Sequence, residues 1–300
     1  MRDSTRVIGA LGLGVAAVSS AATVIVLAAP LPSLLIAAGR VLVTGVALGL
    51  LGLADLSDWL RALRERRALV GRTVAAGALL ALHFGAWIAS LEMTTVLRST
   101  ALVALQPVFA GLLGRLLGDR VSPWLYGGAA VSLGGTWVLV GGPDAAAGGS
   151  LIGDGLALLG GASAAAYLAV GRSVRDEVPL RAYLGSVHII AGVALLFCAA
   201  VFLRPLAIEV SRQSILAVLY LGLVPGLVGH GLFNWVVRKV PVDRVALAVL
   251  LEPVGATALA WLVLDQGVTT MEAVGAAVVL AGVGLGSVRG AAGGATPEER

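Results

Sequence analysis

The chain has 300 residues, 58% of them hydrophobic and 13% charged, with a formal net charge of +4 and a mean hydropathy of +0.97. A water-soluble protein of this size cannot hide so much apolar side chain, because its surface needs polar cover. The single cysteine, Cys198, excludes an internal disulfide and a cysteine-based zinc site, and the scattered basic residues, with no aromatic interleaving, argue against nucleic acid as a partner.

Apolar blocks of about 20 residues match a hydrocarbon core of roughly 30 Å. They predict an all-α polytopic membrane protein with ten transmembrane helices, at 7–27, 33–53, 73–91, 97–116, 123–141, 151–171, 181–203, 213–236, 243–263 and 270–288. The first block follows Arg2 and Arg6 and so imitates a secretory leader. Nine further blocks follow it, and it is read as a retained helix. The longest connection, ADLSDWLRALRERRALVGR, reads as a loop and carries Arg61, Arg64, Arg66, Arg67 and Arg72. If it is cytoplasmic, then Arg115/Arg120, Arg172/Arg175, Arg238/Lys239 and both termini share its side. Arg204, Arg212, Asp144 and Asp265 remain opposite. That imbalance obeys the positive-inside rule, so the chain is expected in the cell membrane, its partner the lipid bilayer, with both termini cytoplasmic. Residues 289–300 read as a disordered cytoplasmic tail.

Several features are punctuation. Ser122-Pro123 suits an N-cap followed by Pro at the first helical position, and Thr269 with Glu272 fits a capping box. Gly45-x-x-x-Gly49 and Gly282-x-x-x-Gly286 let helix backbones approach. They serve either contacts within one chain or a dimer face, so monomer and homodimer both stay open.

Two stretches resemble one another: RSTALVALQPVFAGLLGRLLGDRVSPWLYGGAAVSLGG and RVALAVLLEPVGATALAWLVLDQGVTTMEAVGAAVVLAG. Arg98 pairs with Arg244, Pro107 with Pro253 and Asp119 with Asp265. After a one-residue gap, Gly128 pairs with Gly275 and Gly135 with Gly282, and earlier in the chain Pro32 pairs with Pro179. Rare residues recurring in register make this a repeat, 1–145 and 146–288, of five helices each. An odd count turns the second repeat upside down, as in secondary transporters whose site lies near the midplane.

The proline-bearing span, the short turn with Asp and the Gly-Ala-Ala-x-x-Leu-x-Gly helix, twice over, resemble the EamA-type members of the drug/metabolite transporter superfamily. NWVVRKVPVDRVALAVLLEP fits the second-repeat signature particularly well. The resemblance implies a ten-helix exporter of a small molecule such as an amino acid, amine or drug-like compound. Two departures stand out: Asp119 and Asp265 replace the usual glutamate, and Gln106 stands where the second repeat has Glu252.

A charged side chain at mid-span costs roughly 2.5–3.5 kcal/mol on insertion scales. Pro253 frees the carbonyl of Val249 and bends its helix. Glu252 beside that break either faces a polar cavity, binding a cation or carrying a proton, or is a structural residue bonded across helices. Gln106 beside Pro107 is its neutral counterpart. His230 and Asn234, and likewise His83 and Trp87, lie four apart and share a helix face. Each pair suits an organic solute, or else pins neighbouring helices. Tyr167 puts its hydroxyl in the cavity or sits at the interface, and His188 reads as structural. Arg40 recognises a substrate carboxylate or pairs within the protein. Substrate-binding candidates are therefore His83, Trp87, Gln106, Tyr167, His230, Asn234 and Glu252. No prenyl-transfer Asp cluster, zinc motif, nucleophile elbow or phosphate loop is present, so no enzyme, cofactor, metal or catalytic residue is expected. A channel and a non-transporting scaffold are the alternatives.

Overall fold

Prolines and glycines, more than apolar content, decide where these helices start, break and touch. The computed structural model describes residues 2–118, 122–141, 149–172, 174, 178–203, 208–236 and 248–292. It is 86% helix, with no strand among the described residues. The helices are α1 (Arg2–Leu27), α2 (Ser33–Leu51), α3 (Leu56–Glu65), α4 (Arg67–Ser90), α5 (Val96–Val103), α6 (Gln106–Leu116) and α7 (Pro123–Gly141). After them come α8 (Leu151–Arg172), α9 (Leu180–Phe202), α10 (Arg212–Leu221), α11 (His230–Val236), α12 (Glu252–Leu264) and α13 (Thr270–Ala292).

Seven described stretches are long and apolar enough to cross a membrane: Arg6–Leu27, Ser33–Leu51, Arg67–Ser90, Val96–Leu116, Leu151–Arg172, Leu180–Phe202 and Arg212–Phe233. Glu252–Leu264 and Thr270–Gly286 are apolar but shorter. Residues 243–247 of the expected ninth span lie outside the described residues, as do Asp119, Arg120, Asp144, Arg175, Arg204, Arg238, Lys239 and Arg244. α13 continues past the expected end at 288 as far as Ala292, so the first residues of the expected tail are helical.

The expected break at Pro253 is present, and the expected fourth span breaks in the same way before Pro107. α5 stops at Val103, a turn covers 104–105, and α6 restarts at Gln106-Pro107. The second break matches it: a turn at 250–251 precedes Glu252-Pro253, which opens α12. Proline has no N–H to continue the ladder but fits the first turn of a new helix. A third proline has a different effect. Pro225 lies inside Gly222–Gly229, which winds as a π-helix and joins α10 to α11. The capping box is made as expected, Glu272 N–H donating to Thr269 Oγ1 at 3.2 Å and Thr269 N–H to Glu272 Oε2 at 3.0 Å.

The segment read as the longest loop is instead α3 and the first turns of α4, which begins at Arg67 and not at 73. Leu56, Trp59, Leu60 and Leu63 recur at helical spacing and make α3 amphipathic. The density of arginines had concealed that pattern. Trp59, 2% exposed, anchors α3 to α9: its Nε1–H donates to Ser186 Oγ at 2.9 Å, and its ring meets Tyr183 edge-on at 6.0 Å. Trp59→Phe keeps most of the packing and loses that hydrogen bond, so it is expected to cost about 1 kcal/mol in a thermal or denaturant titration. Ser186→Ala should cost about the same, and the double substitution no more than either.

The most extensive helix pairings are α7 with α13, α2 with α9 and α4 with α8. Glycines bring the first two pairs to backbone contact. A Cβ built on Gly128 would stand 2.5 Å from the Gly282 carbonyl oxygen, and one on Gly135 would stand 2.5 Å from the Val279 nitrogen. Gly45 likewise faces Ile189, with 3.1 Å from its Cβ position to the Ile189 nitrogen. Both small-residue motifs are thus taken up inside the chain.

One end of the bundle is tied through the short segment 92–98. Ser33 N–H donates to Glu92 Oε1 at 3.1 Å, Ser150 N–H to Met93 O at 2.8 Å and Val96 N–H to Gln266 Oε1 at 3.1 Å. Thr94 bridges Gly149, and its hydroxyl donates to Asp154 Oδ1 at 3.1 Å. Arg98, 1% exposed, forms a two-pronged ion pair with Asp154, 3% exposed, Nε to Oδ1 at 3.1 Å and Nη2 to Oδ2.

Candidate functional site

The polar residues that the bundle buries are drawn from helices far apart in sequence. Arg40 comes from the middle of α2 and is 2% exposed. α2 lies against the π-helical segment there: Thr44 Oγ1–H is shared between Arg40 O at 3.0 Å and Gly222 O at 2.8 Å. The guanidinium packs on aromatic faces of α4, its central carbon 4.3 Å from the Phe84 ring centre and 5.4 Å from that of Trp87. Desolvated cation–π contacts of this kind are worth about 2 kcal/mol. His83 completes the aromatic group, stacked on Trp87 at 6.0 Å and 11° and tilted against Phe84 at 4.5 Å. Its Nδ1 lies 2.9 Å from the Gly160 carbonyl of α8, which accepts, so Nδ1 carries the hydrogen. The ring is thereby fixed, with Nε2 left over as an acceptor.

Arg40 is within electrostatic reach of His83, of His188 on α9, of His230 on α11 and of Glu252 at the start of α12. His230 is exposed by surface area, yet it interacts with charges on α2, α4 and α9. Glu252 is half-buried in the first turn of its helix. There the unpaired N–H groups and the positive end of the helix dipole favour a carboxylate. This is why a charge next to a helix breaker is tolerable in an apolar stretch. α1 packs beside it, Ser19 Oγ–H donating to the Glu252 carbonyl at 3.2 Å.

The sequence-predicted residues thus divide. His83, Trp87, His230 and Glu252 are brought together around Arg40. Gln106 opens α6 at the matching break and is half-buried, but among the described residues no interaction joins it to the Arg40 group. Tyr167 interacts with Tyr183 of α9 and packs against the main core, next to the end that holds Trp59. Asn234 belongs to α11, one turn beyond His230, and its side chain lies outside the described residues. His188, read as structural, does donate Nδ1–H to Leu184 O at 2.8 Å, and it also belongs to the Arg40 group. Phe84 and Asp154 were not singled out in the sequence. Phe84 had only its place between His83 and Trp87 to mark it, and Asp154 stands at a helix start where acids are common. The π-helical turn did leave a trace, Pro225 between glycines in an otherwise apolar span. Among the described residues no group of His, Cys, Asp or Glu has the arrangement to hold a metal ion.

No functionally curated protein matches the sequence. One crystal structure of a protein aligns with a TM-score of 0.65 and 19% identity, covering 97% of this chain and 99% of that one. At that identity the likeness is one of fold. Residues 151–288 match the family model described as the EamA-like transporter family. The second half of the chain is thus an EamA-like transporter family domain, part of the drug/metabolite transporter superfamily, and the chain is a multi-pass membrane protein.

Proposed function

We propose that the protein is a secondary transporter that exports a small amphipathic metabolite by alternating access between two inverted five-helix repeats, with the cell membrane as its site and both termini cytoplasmic. The observation that carries this reading is the buried guanidinium of Arg40 packed on the Phe84 and Trp87 rings, with His83 stacked on Trp87 and with His188, His230 and Glu252 of three further helices within its electrostatic reach. Polar groups in a membrane-spanning bundle that face a shared space mark a solute path.

The contacts between halves support the inverted repeat. Gly128 corresponds in sequence to Gly275, and Gly135 to Gly282. In space the partners are exchanged: Gly128 meets Gly282, and Gly135 meets Gly275. Ser132 and Val279 correspond to each other and touch each other, Oγ–H to carbonyl at 3.2 Å. The spacing set by Pro32 and Pro179 pairs Gly45 with Gly192 and Leu42 with Ile189. Gly45 then faces Ile189, and Gly192 faces Leu42. Exchanged contacts of this kind, with a self-pair at the centre, are what a two-fold axis produces. The helix breaks before Pro107 and Pro253 correspond to each other in the two repeats and serve as hinges in this reading.

Glu252 carries the coupling proton in this reading, since Gln106 at the matching break has nothing to titrate. Purified protein in proteoliposomes is expected to give saturable counterflow of a panel metabolite and accumulation driven by a proton gradient. Glu252→Gln should lower gradient-driven accumulation by about tenfold or more, roughly 1.4 kcal/mol, while exchange at equal pH survives. Flux without saturation would identify a channel, and no flux for any compound in wild type would favour a scaffold.

A further inference from the structure

We infer that Arg40 and Trp87 form a binding site for a small organic monocarboxylate. The inference rests on the transporter reading for its biological meaning, and on the geometry alone for the site itself. Arg40 is 2% exposed and its guanidinium makes no hydrogen bond among the described residues, with Nη1 wholly buried. Trp87 is 6% exposed, lies under the same guanidinium, and its Nε1–H is buried without an acceptor. Two neighbouring donors, one of them cationic, are therefore orphaned in an interior where buried polar groups are otherwise paired.

A merely structural arginine would be matched to a carboxylate or to carbonyls. The protein supplies neither here: Glu252 is within electrostatic reach, but no ion pair joins it to Arg40 among the described residues. Phe84 and Trp87 instead pack on the guanidinium, its central carbon 4.3 Å and 5.4 Å from their ring centres, and neither supplies an acceptor to its N–H groups. A flat fork of donors fits a carboxylate with two parallel hydrogen bonds, and the indole N–H adds a third donor from the side. The missing chemistry is all acceptor, so the ligand must bring oxygen and negative charge. Charge balance limits it to one unit. Arg40 offset by a monoanion leaves Glu252 no worse placed than before, whereas a doubly charged phosphate would face that carboxylate across a low-dielectric space.

Binding is read on the full-length protein in detergent at constant pH, by thermal shift and by tryptophan fluorescence. The probes are 3-phenylpropionate, its uncharged amide, phenylalanine and phenylethylamine. The acid is expected to bind saturably, the amide and the amine about tenfold or more weaker, and Arg40→Gln to lose the acid by a similar factor. Arg40→Lys, which keeps the charge but not the fork, should fall between. Trp87→Phe should abolish the fluorescence response and weaken the acid. Phenylalanine separates the two sources of a carboxylate: binding tighter than the acid means that a zwitterion is preferred, weaker binding means a simple acid, and both support the site. An amide that binds as well as its acid overturns the inference, as does the absence of binding by both carboxylates. The acid–amide comparison needs only wild type, so a poorly folding Arg40 variant does not blunt the test. Binding without any flux in proteoliposomes would keep this site and reject the transporter reading.

Discussion

Asp154→Ala is expected to destabilise the protein by about 3–5 kcal/mol, the cost of removing one partner of a buried ion pair. The carboxylate accepts from Arg98 on both oxygens and from the Thr94 hydroxyl, and all three groups are buried: Arg98 1%, Asp154 3% and Thr94 8% exposed. Truncation leaves a guanidinium facing an apolar gap at the start of α5. Asp154→Asn keeps one acceptor oxygen and most of the volume, yet it loses the charge and sets an amide N–H₂ against a cation, so it should lie close to Ala in cost. The double change Arg98→Met with Asp154→Leu is the informative one. Buried pairs replaced by apolar residues of similar size are often neutral or stabilising, so the double variant should melt near wild type and well above either single. Melting followed by intrinsic fluorescence in detergent decides this. A double variant as unstable as Asp154→Ala would mean that packing at this site, and not the unmatched charge, sets the cost.

The second large effect is expected at the glycine seam between α7 and α13. Gly135→Ala should destabilise by about 1–3 kcal/mol, since its Cβ would meet backbone, which has no rotamer through which to yield. Gly128→Ala should behave alike, with the Gly282 carbonyl at 2.5 Å and the Gly286 nitrogen at 2.6 Å in its way. Their neighbours provide the control. Gly127 and Gly134 are exposed on the same helix, and a Cβ at either meets nothing within 4 Å. Alanine there improves helix propensity and should be neutral or stabilising by up to ~1 kcal/mol. A matched pattern, costly at 128 and 135 and harmless at 127 and 134, is specific to this packing. Uniform tolerance at all four positions would show that the two helices do not meet as described.

Much of this architecture can be read from the chain because it is local. Span lengths, the breaks before Pro107 and Pro253 and the Thr269/Glu272 cap follow from backbone chemistry within a few residues. The repeated Gly-Ala-Ala motif carried more, since the helices that share it turn out to pack on each other. The hidden part depends on side chains from distant helices. Nothing near Arg40 in sequence announces Phe84 and Trp87 on α4, and nothing near Arg98 announces Asp154 across two intervening helices. α3 is an intermediate case: its apolar spacing was legible, but arginine density made it look like a loop. Tyr167 shows the limit in the other direction, for a hydroxyl in a span is compatible with cavity and interface alike, and its packing against the main core leaves both readings in place.

The ties made by segment 92–98 are not independent springs. The backbone that offers Glu92 to Ser33 also carries Met93 to Ser150, Val96 to Gln266 and Arg98 to Asp154. Displacing any one of them shifts the strand of chain that holds the others, so partial loosening loses several bonds and satisfies none. An end built in this way opens as one unit and resists partial loosening. Amide hydrogen exchange would register it as a single opening event, with Val96 and Ser150 losing protection together and at one rate.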